Sequence, residues 1–209
     1  MSTDRAPHPS LPGFLPAPGE QVRDREQHWP VAGSSRLYDG SYMSVREDRV
    51  TAPDGHELTR QVVEHKGAVG VVVVDDDDRV LLLEQYRHPV AHRLLELPAG
   101  VLDVPGESPL EAARRELGEE TDLVAEHWEP LVHRAHASPG YTAERWEVFL
   151  ARGLSLVPDA DRTVREGEEA DMGVVWVPFD DAVRAALEGR IGDCMTMIGL
   201  LAAHAHRLA

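Results

Sequence analysis

The sequence has little cysteine, few aromatic residues and no long apolar run. Cys194 is the single cysteine in 209 residues, which excludes an intrachain disulfide and a cysteine-based zinc finger. The longest apolar run, AVGVVVV at 68–74, is far shorter than the ~20 residues that span a bilayer, and the first residues lack a signal-peptide core. We therefore expect a soluble, unexported protein in a reducing, cytoplasmic compartment.

Basic residues are also scarce, because 21 lysines and arginines face 37 aspartates and glutamates, for a formal net charge of −16. Such a chain repels nucleic-acid backbones and anionic membrane surfaces, so neither partner is expected. A polyanionic substrate would have to bind through metal ions or a few well-placed arginines. The hydrophobic fraction of 42% is sufficient for a globular core.

Composition divides the chain into three parts. Residues 1–36 are rich in proline and lack apolar periodicity, which is typical of an arm that is disordered or crosses to a partner. Residues 37–66 alternate apolar and polar side chains around the turn signal Pro53-Asp54-Gly55, which predicts antiparallel strands. Residues 67–209 mix strand-like and helix-like segments without regular alternation, which predicts an α+β sandwich with helices covering a mixed sheet.

Two local features of the last part lie between its strand-like runs. Four consecutive aspartates, Asp75 to Asp78, could suggest a cation site, but cation loops interleave their ligands with glycine at set spacings. We interpret the run as a solvated hairpin turn. The segment RLLELPAG ends at Gly100, which we interpret as a second turn.

A helix start is visible in SPLEAARRELGEE at 108–120. Ser108 fits the N-cap, Pro109 the first helical position, and Glu111 completes a capping box. Further along the chain, ERWEVFLAR and MGVVWVPF are predicted to be strands. DDAVRAALEG is predicted to be a helix closed by Gly189, and a last helix is predicted with Asp193 as its N-cap.

The first of these helices carries a cluster of acidic residues. Glu116 and Glu120 lie about 40° apart and one turn apart, so their carboxylates can converge, and Glu119 lies about 60° to the other side. Arg114 and Arg115 offset part of this charge, so an ordinary salt-bridged surface helix is one interpretation. The other is a site for Mg²⁺ or Mn²⁺, which prefer oxygen ligands.

The segment GVLDVPGESPLEAARRELGEETDL resembles the box of the Nudix hydrolases, Gly-x5-Glu-x7-Arg-Glu-U-x-Glu-Glu-x-Gly-U, where U is bulky and apolar. The matching positions, in order, are Gly100, Glu107, Arg115, Glu116, Leu117, Glu119, Glu120 and Leu123. One extra residue lies between the first two of these, and we expect it to bulge outward. Asp122 replaces the last glycine, and we expect a loss of local stability there with the metal ligands kept.

Outside the box, TRQVVEHKGAV, QYRHPV, LLELPAG and SPGYTAE resemble the ADP-ribose pyrophosphatase branch of that superfamily. The resemblance implies a Nudix-type α/β/α sandwich that hydrolyses ADP-ribose, or a close ADP-sugar, to AMP and a sugar phosphate with Mg²⁺ or Mn²⁺. It also implies a homodimer, with the first hairpin or the arm crossing to the partner. The implied metal ligands are the Ala99 carbonyl, Glu116, Glu119 and Glu120.

The resemblance also implies roles outside the metal site. Glu144 matches the residue that activates or orients the attacking water and joins Glu116 and Glu120 in the catalytic set. The residues that would contact substrate are Arg60 and Arg87, near phosphates and sugars, and Tyr42, stacked on adenine. Glu107 and Arg115 are expected to hold the box together.

Several alternatives remain. The histidines lack zinc-hydrolase spacing, and Ser138-Pro139-Gly140 is not a nucleophile elbow. Glu168 or Glu169 could replace Glu144 as the base, although an ordinary solvated loop explains both. The substrate could be another nucleotide, such as GDP-mannose, NADH or a dinucleoside polyphosphate, or the chain could be a non-catalytic ADP-ribose-binding regulator. The box has, however, kept its carboxylates, and no DNA-binding domain is added.

Overall fold

The computed structural model describes residues 6–167 and 169–208. The strands in these ranges are β1 (Val31–Asp39), β2 (Ser44–Thr51), β3 (Glu57–Glu64), β4 (Ala68–Val73), β5 (Arg79–Arg87), β6 (His92–Glu96), β7 (Ala99–Val101), β8 (Leu123–His136), β9 (Arg145–Leu156) and β10 (Gly173–Pro178). The α-helices there are α1 (Pro109–Thr121), α2 (Phe179–Leu187) and α3 (Cys194–Arg207). None of the described helices is long and apolar enough to cross a bilayer.

Strand β4 is an inner strand of a four-stranded mixed sheet with the order β7-β4-β9-β8. It runs parallel to β9 and antiparallel to β7. Every residue of β4 is buried, because Val69 and Val71 pack into one core and Ala68 and Val72 into the other. Burial on both faces explains why this strand is an unbroken apolar run rather than an alternating one.

Helices cover both faces of the sheets. Helix α1 packs against one face through Ala113 and Leu117. Helices α2 and α3 pack against the other, with Phe179 and Leu200 fully buried. The antiparallel sheet β10-β5-β6 also contributes to both cores through β5. The predicted α+β sandwich, with helical layers on either side of a mixed β layer, is confirmed.

The aspartate run forms the turn between β4 and β5. Asp75 Oδ1 accepts hydrogen bonds from the backbone N–H groups of Asp77 (3.0 Å) and Arg79 (2.8 Å). The other three aspartates are exposed. The prediction of a solvated turn is confirmed, but β4 and β5 enter different sheets and share only an isolated bridge between Val74 and Val80 among the described residues.

Strands β1, β2 and β3 form a separate antiparallel sheet near the amino end. The β2–β3 turn lies at the predicted Pro53-Asp54-Gly55 signal. Strand β1 begins at Val31, inside the segment that composition assigned to the arm. The start of this strand was missed because VAGSSR carries few apolar residues. Nearly all of β1 is exposed, including Leu37 and Tyr38. This sheet therefore has little apolar core of its own in a single chain.

Residues 6–30 of the arm contain no helix or regular strand and are mostly exposed, with one bridge between Pro7 and Phe14. Residues 1–5 of the predicted arm lie outside the described residues. Toward the other end of the chain, α3 has the predicted N-cap, because the Asp193 carboxylate accepts from Thr196 N at 2.7 Å. The long strand β8 was not predicted, since Pro130 and two register shifts interrupt its alternation.

Candidate active site

Helix α1 begins as the sequence predicts. Ser108 Oγ accepts from the Glu111 N–H at 3.3 Å, and Glu111 Oε2 accepts from the Ser108 N–H at 2.8 Å. Hydrogen bonding to the Glu111 carboxyl, first from the Ser108 N–H and then from the Ser108 side chain, lowers its pKa. The capping box fixes the helix start, and the stripe of Ala113 and Leu117 then fixes its rotation against the sheet. The carboxylates beside that stripe face a cavity.

The cavity has a volume of about 810 Å³ and lies between α1, β7 and the loops around them. Glu116, Glu119 and Glu120 line it together with Arg87 and Glu144. Further lining residues include Tyr42, His65, Lys66, Gln85, Glu96, Ala99, Gly100, Asp103, Arg115, Trp146, Glu166 and Asp193. The sequence pattern thus predicts correctly that these box residues share one surface.

Gly100 lies in strand β7 rather than in the predicted turn, and the geometry explains why glycine is needed. A Cβ at this position would lie 1.9 Å from Glu116 Cδ and 2.0 Å from Glu116 Oε1. The Glu116 carboxyl therefore packs directly on the β7 backbone, with 15% of its side chain exposed. This close approach couples the first residue of the box to one of its carboxylates.

Glu120 is also fixed on β7. Its Oε2 accepts a hydrogen bond from the Ala99 N–H at 2.9 Å, and the residue is only 8% exposed. A buried carboxylate is costly unless a cation or hydrogen-bond donors satisfy it. The structure therefore brings the Ala99 backbone and Glu120 together, as the resemblance implied, although it is the Ala99 N–H that makes this contact.

Arg115 joins the box carboxylates. Its guanidinium donates to both oxygens of Glu107 at 3.0 Å, to Glu116 Oε1 at 2.7 Å and to Glu119 Oε2 at 2.9 Å. The bond with Glu107 contributes most to raising the pKa of Arg115. Arg114 instead lies 5.7 Å from the centroid of the Trp128 ring. Of the two arginines expected to offset the acidic charge, Arg115 therefore contacts the box carboxylates.

In this arrangement the described residues contain no group of three or more His, Cys, Asp or Glu side chains gathered closely enough to hold a metal ion. Arg115 holds Glu116 and Glu119, and Glu120 faces the Ala99 N–H. The donors are nevertheless carboxylate oxygens on one helix, next to a backbone that leaves room only for a glycine. Their chemistry fits a hard divalent cation such as Mg²⁺ or Mn²⁺.

In the same cavity, Arg87 is held by Glu96. Its Nε and Nη2 donate to the two carboxylate oxygens at 2.9 and 2.7 Å. This pairing raises the pKa of Arg87 and fixes a planar cation in the cavity that the α1 carboxylates line. Because 43% of its side chain stays exposed, Arg87 can still contact an anionic ligand. Glu96, its partner, was not predicted as a site residue, since nothing in its local sequence shows the pairing.

Tyr42 lies in the cavity of its own chain, although the residue is 64% exposed. Its ring meets the His65 ring edge-on, with 5.1 Å between centroids. Partial desolvation of its hydroxyl in the cavity, assisted by the Glu144 charge and opposed by Arg87, raises the pKa of Tyr42. An aromatic surface is therefore present beside Arg87 and Glu144.

Glu144 reaches the cavity from the loop between β8 and β9. Trp146 Nε1 donates to Glu144 Oε1 at 3.0 Å, and His65 Nδ1 lies 3.6 Å from the same oxygen. The loop is tied to β3 by a hydrogen bond from Val63 N to Tyr141 O at 2.8 Å. These contacts place one carboxylate oxygen firmly, with 26% of the side chain exposed.

Arg60 does not line this cavity. It lies on β3, is exposed, and its guanidinium donates to the Thr59 carbonyl at 2.9 Å. Glu166, by contrast, lines the cavity but was not predicted, because a glutamate in an acidic loop has no distinguishing pattern. Glu168 and the Glu169 side chain, which were considered as alternative bases, lie outside the described part of the chain.

Comparison with known protein families identifies the family to which the chain belongs. The Nudix domain matches residues 64–195, and the nucleoside diphosphate sugar hydrolase N-terminal domain matches residues 29–63. The chain therefore belongs to the Nudix family. The match to the second domain begins close to the start of β1.

Individual relatives place it further, in the branch of that family that contains ADP-ribose pyrophosphatases. The chain is 42% identical over 180 residues to the ADP-ribose pyrophosphatase of Mycobacterium tuberculosis, covering 86% of this chain and 85% of the relative. It is 34% identical over 167 residues to a methanol dehydrogenase activator of Bacillus methanolicus, covering 80% and 88%. A solved structure of an ADP compounds hydrolase superposes with a TM-score of 0.72 at 19% identity, covering 88% of this chain and 96% of that chain, which supports the fold.

Proposed function

We propose that this chain hydrolyses the pyrophosphate bond of ADP-ribose, or of a close ADP-sugar, to AMP and a sugar phosphate. The observation that carries the proposal is the 42% identity to an ADP-ribose pyrophosphatase over most of both chains. The cavity supports it, because the box carboxylates lie in the same space as Arg87 and Tyr42. A nucleoside diphosphate needs cations for its phosphates and a flat apolar surface for its base, and both are present.

Nudix hydrolases generally use divalent metal ions, and we propose Mg²⁺ or Mn²⁺ here. Glu116, Glu119, Glu120 and the Ala99 carbonyl would hold the ion. When bound, such an ion neutralises pyrophosphate charge and acidifies a water molecule. The chain itself contributes Arg115, which holds Glu116 and Glu119 in place, and Arg87, which is oriented by Glu96 to bind a phosphate or sugar oxygen.

We propose that Glu144 accepts the proton of the attacking water or orients that water. Its support is geometric, since the Trp146 indole fixes one carboxylate oxygen beside the cavity. Glu144→Gln should lower kcat by a factor of about 10² to 10⁴, which is the range that general-base catalysis contributes. Glu166→Gln, Glu168→Gln and Glu169→Gln serve as parallel variants. An unchanged kcat in Glu144→Gln, with a large loss in one of the others, would move the role to that residue.

The chain is proposed to act as a homodimer in which the β1–β3 sheet crosses to the partner. Two features of this sheet support the proposal: β1 exposes apolar side chains, and Arg60 on β3 does not line the cavity of its own chain. Tyr42 could then serve either site. Sedimentation of the full chain gives the oligomeric state directly, and a monomer would contradict the proposal.

Mixing two defective variants tests whether Arg60 acts across the dimer. Arg60→Ala and Glu120→Gln should each be weakly active alone. If each subunit supplies Arg60 to the partner, a refolded one-to-one mixture recovers about one quarter of wild-type activity, because half of the dimers contain one intact site out of two. No recovery would show that Arg60 does not serve a partner's site.

A nucleotide panel tests the substrate. ADP-ribose, an ADP-hexose, GDP-mannose, NADH and a dinucleoside polyphosphate are each supplied with Mg²⁺ and then Mn²⁺, with identification of both products. ADP-ribose should give the highest kcat/KM. A higher value for GDP-mannose, NADH or the dinucleoside polyphosphate would replace the proposed substrate, and calorimetric binding of ADP-ribose without turnover would favour a regulator.

A cytoplasmic location is proposed from the single cysteine, Cys194, which has no disulfide partner.

A further inference from the structure

Asp122 ends helix α1 in a left-handed conformation, with φ 58° and ψ 27°, where glycine is favoured. Its N–H donates to Gly118 O at 3.0 Å, and its carbonyl accepts from Val157 N at 2.8 Å. Glycine could make both backbone contacts with less strain. The aspartate side chain at this position therefore calls for a separate physical reason.

The Asp122 carboxylate pairs with an arginine from the segment that follows β9. Asp122 Oδ2 lies 2.8 Å from Arg165 Nη2, with 23% and 25% of the two side chains exposed. Arg165 Nε also donates to the Glu119 backbone carbonyl at 2.9 Å. The last carbonyls of a helix lack intrahelical partners, and a cation there also interacts favourably with the helix dipole. One guanidinium thus contacts the helix end at two points, through the Nε hydrogen bond to the Glu119 carbonyl and through an ion pair with Asp122 in which Nη2 and Asp122 Oδ1 make no hydrogen bond among the described residues.

Both ends of the segment 157–165 are consequently tied to Asp122, the first through Val157 N and the second through Arg165. The next residue, Glu166, lines the cavity with Glu119 and Glu120. These two glutamates belong to the last turn of α1, the turn that Arg165 contacts. The segment after β9 and the metal-binding turn therefore share one point of attachment.

We propose that Arg165 is a positioning residue and that it forms with Asp122 a clasp that fixes the last turn of α1 and the segment 157–167 relative to each other. The clasp is defined as the Asp122–Arg165 ion pair together with the Arg165–Glu119 carbonyl hydrogen bond. The inference rests on the proposed function in assigning metal binding to Glu119 and Glu120. It assigns to Asp122 a role that the family's glycine could not perform.

The test uses the full chain with Asp122→Gly, Arg165→Gln and the double variant. Arg162→Gln is the matched control, because Arg162 lies in the same segment but its hydrogen bonds and ion pairs among the described residues go only to Val157 O and Asp159. Hydrogen exchange of the metal-free protein, Mn²⁺ affinity by electron paramagnetic resonance, and kcat with KM are measured for each. The first two readouts need no nucleotide.

Asp122→Gly and Arg165→Gln should each speed exchange in the last turn of α1 and in 157–167, and weaken Mn²⁺ binding. On the nucleotide that the wild type hydrolyses, kcat should fall about tenfold with KM within about twofold, since small misplacements of reacting groups are costly. The double variant should be no worse than Arg165→Gln alone, because Arg165→Gln already removes the ion pair that Asp122→Gly removes. Arg162→Gln should match the wild type in the α1 turn.

Wild-type exchange, Mn²⁺ affinity and kcat in Asp122→Gly would overturn the clasp and reduce Asp122 to a strained substitute for glycine. Strictly additive losses in the double variant would also overturn it. If the wild type fails to hydrolyse ADP-ribose, the proposed function fails, whereas exchange and Mn²⁺ affinity still decide the clasp.

Discussion

Replacing Gly100 by alanine tests how tightly helix α1 is packed on strand β7. The added Cβ would lie 1.9 Å from Glu116 Cδ, 2.0 Å from Oε1 and 2.3 Å from Cγ. Carbon atoms in contact normally lie about 3.5 Å apart, so the Glu116 carboxyl has to move by roughly 1.5 Å. The obstacle is the end of a side chain, so the fold can accommodate the change by displacing that carboxyl.

Stability and activity should therefore respond very differently to Gly100→Ala. Overpacking that a side chain can relieve should cost about 1 kcal/mol in the free energy of unfolding, or a Tm lower by about 2–4 °C in a chain of this size. A displacement of about 1 Å in a reacting group can cost about 10² in rate. If Glu116 is a metal ligand, we expect kcat to fall by about that factor while the protein stays folded.

The assay compares thermal unfolding with the rate of AMP release over a range of Mg²⁺ concentrations. More Mg²⁺ should restore part of the lost rate, because the displaced carboxylate weakens metal binding. Gly118→Ala on the same helix serves as the control, since the nearest atoms to its Cβ lie 3.9 Å away. A Gly100→Ala enzyme with kcat within about twofold of the wild type would refute the placement of Glu116.

Three further predictions concern stability. Gly118→Ala should raise the free energy of unfolding by about 0.5–1 kcal/mol, because alanine favours helix over glycine; a lower Tm would contradict this. Ser108→Ala should cost about 1 kcal/mol by removing the N-cap, and an unchanged Tm would show that the cap adds nothing. Hydrogen bonds from Ser34 and Arg46 lower the pKa of Asp48 below its ordinary 3.8. The stabilisation that the ionised Asp48 carboxylate gives to the folded state is therefore complete at pH values above 3.8, and it is lost as the pH falls through the folded-state pKa. Asp48→Asn should thus flatten the acid dependence of hydrogen exchange in β1–β3, and an unchanged acid dependence would argue against it.

The sequence predicts features that depend on neighbours along the chain. The Ser108 capping box, the Asp193 N-cap and the apolar run of β4 are all confirmed, because their physical causes lie within a few residues. The two-sided burial of β4 also indicates helices on both faces of a sheet. Local chemistry was therefore sufficient for the layers of the fold and for the helix that carries the box.

Features that depend on tertiary contacts were less predictable. Gly100 was interpreted as a turn residue, whereas it lies in a strand under the Glu116 carboxyl. Arg60 was predicted from the resemblance to contact substrate, yet it does not line the cavity of its own chain. Glu166 reaches the cavity because the segment after β9 folds back on α1, a contact between residues far apart in sequence.

Asp122 shows both sides of this limit. It stands where the family pattern has glycine, and the backbone there is left-handed, with φ 58°. Its ion pair with Arg165 could not be predicted, because the arginine comes from a different part of the chain. The departure from the family pattern was visible in sequence, and only the structure supplies a partner for it.

We propose that the carboxylates of α1 support metal-dependent cleavage of ADP-ribose. The most direct measurement supplies ADP-ribose to the wild type and to Glu120→Gln, with Mg²⁺ or with a chelator, and identifies products by phosphorus NMR. The wild type should release AMP and ribose 5-phosphate with Mg²⁺ and not with the chelator, and kcat should be at least about 10²-fold lower in a folded Glu120→Gln. No AMP from the wild type, or full activity in Glu120→Gln, would contradict it.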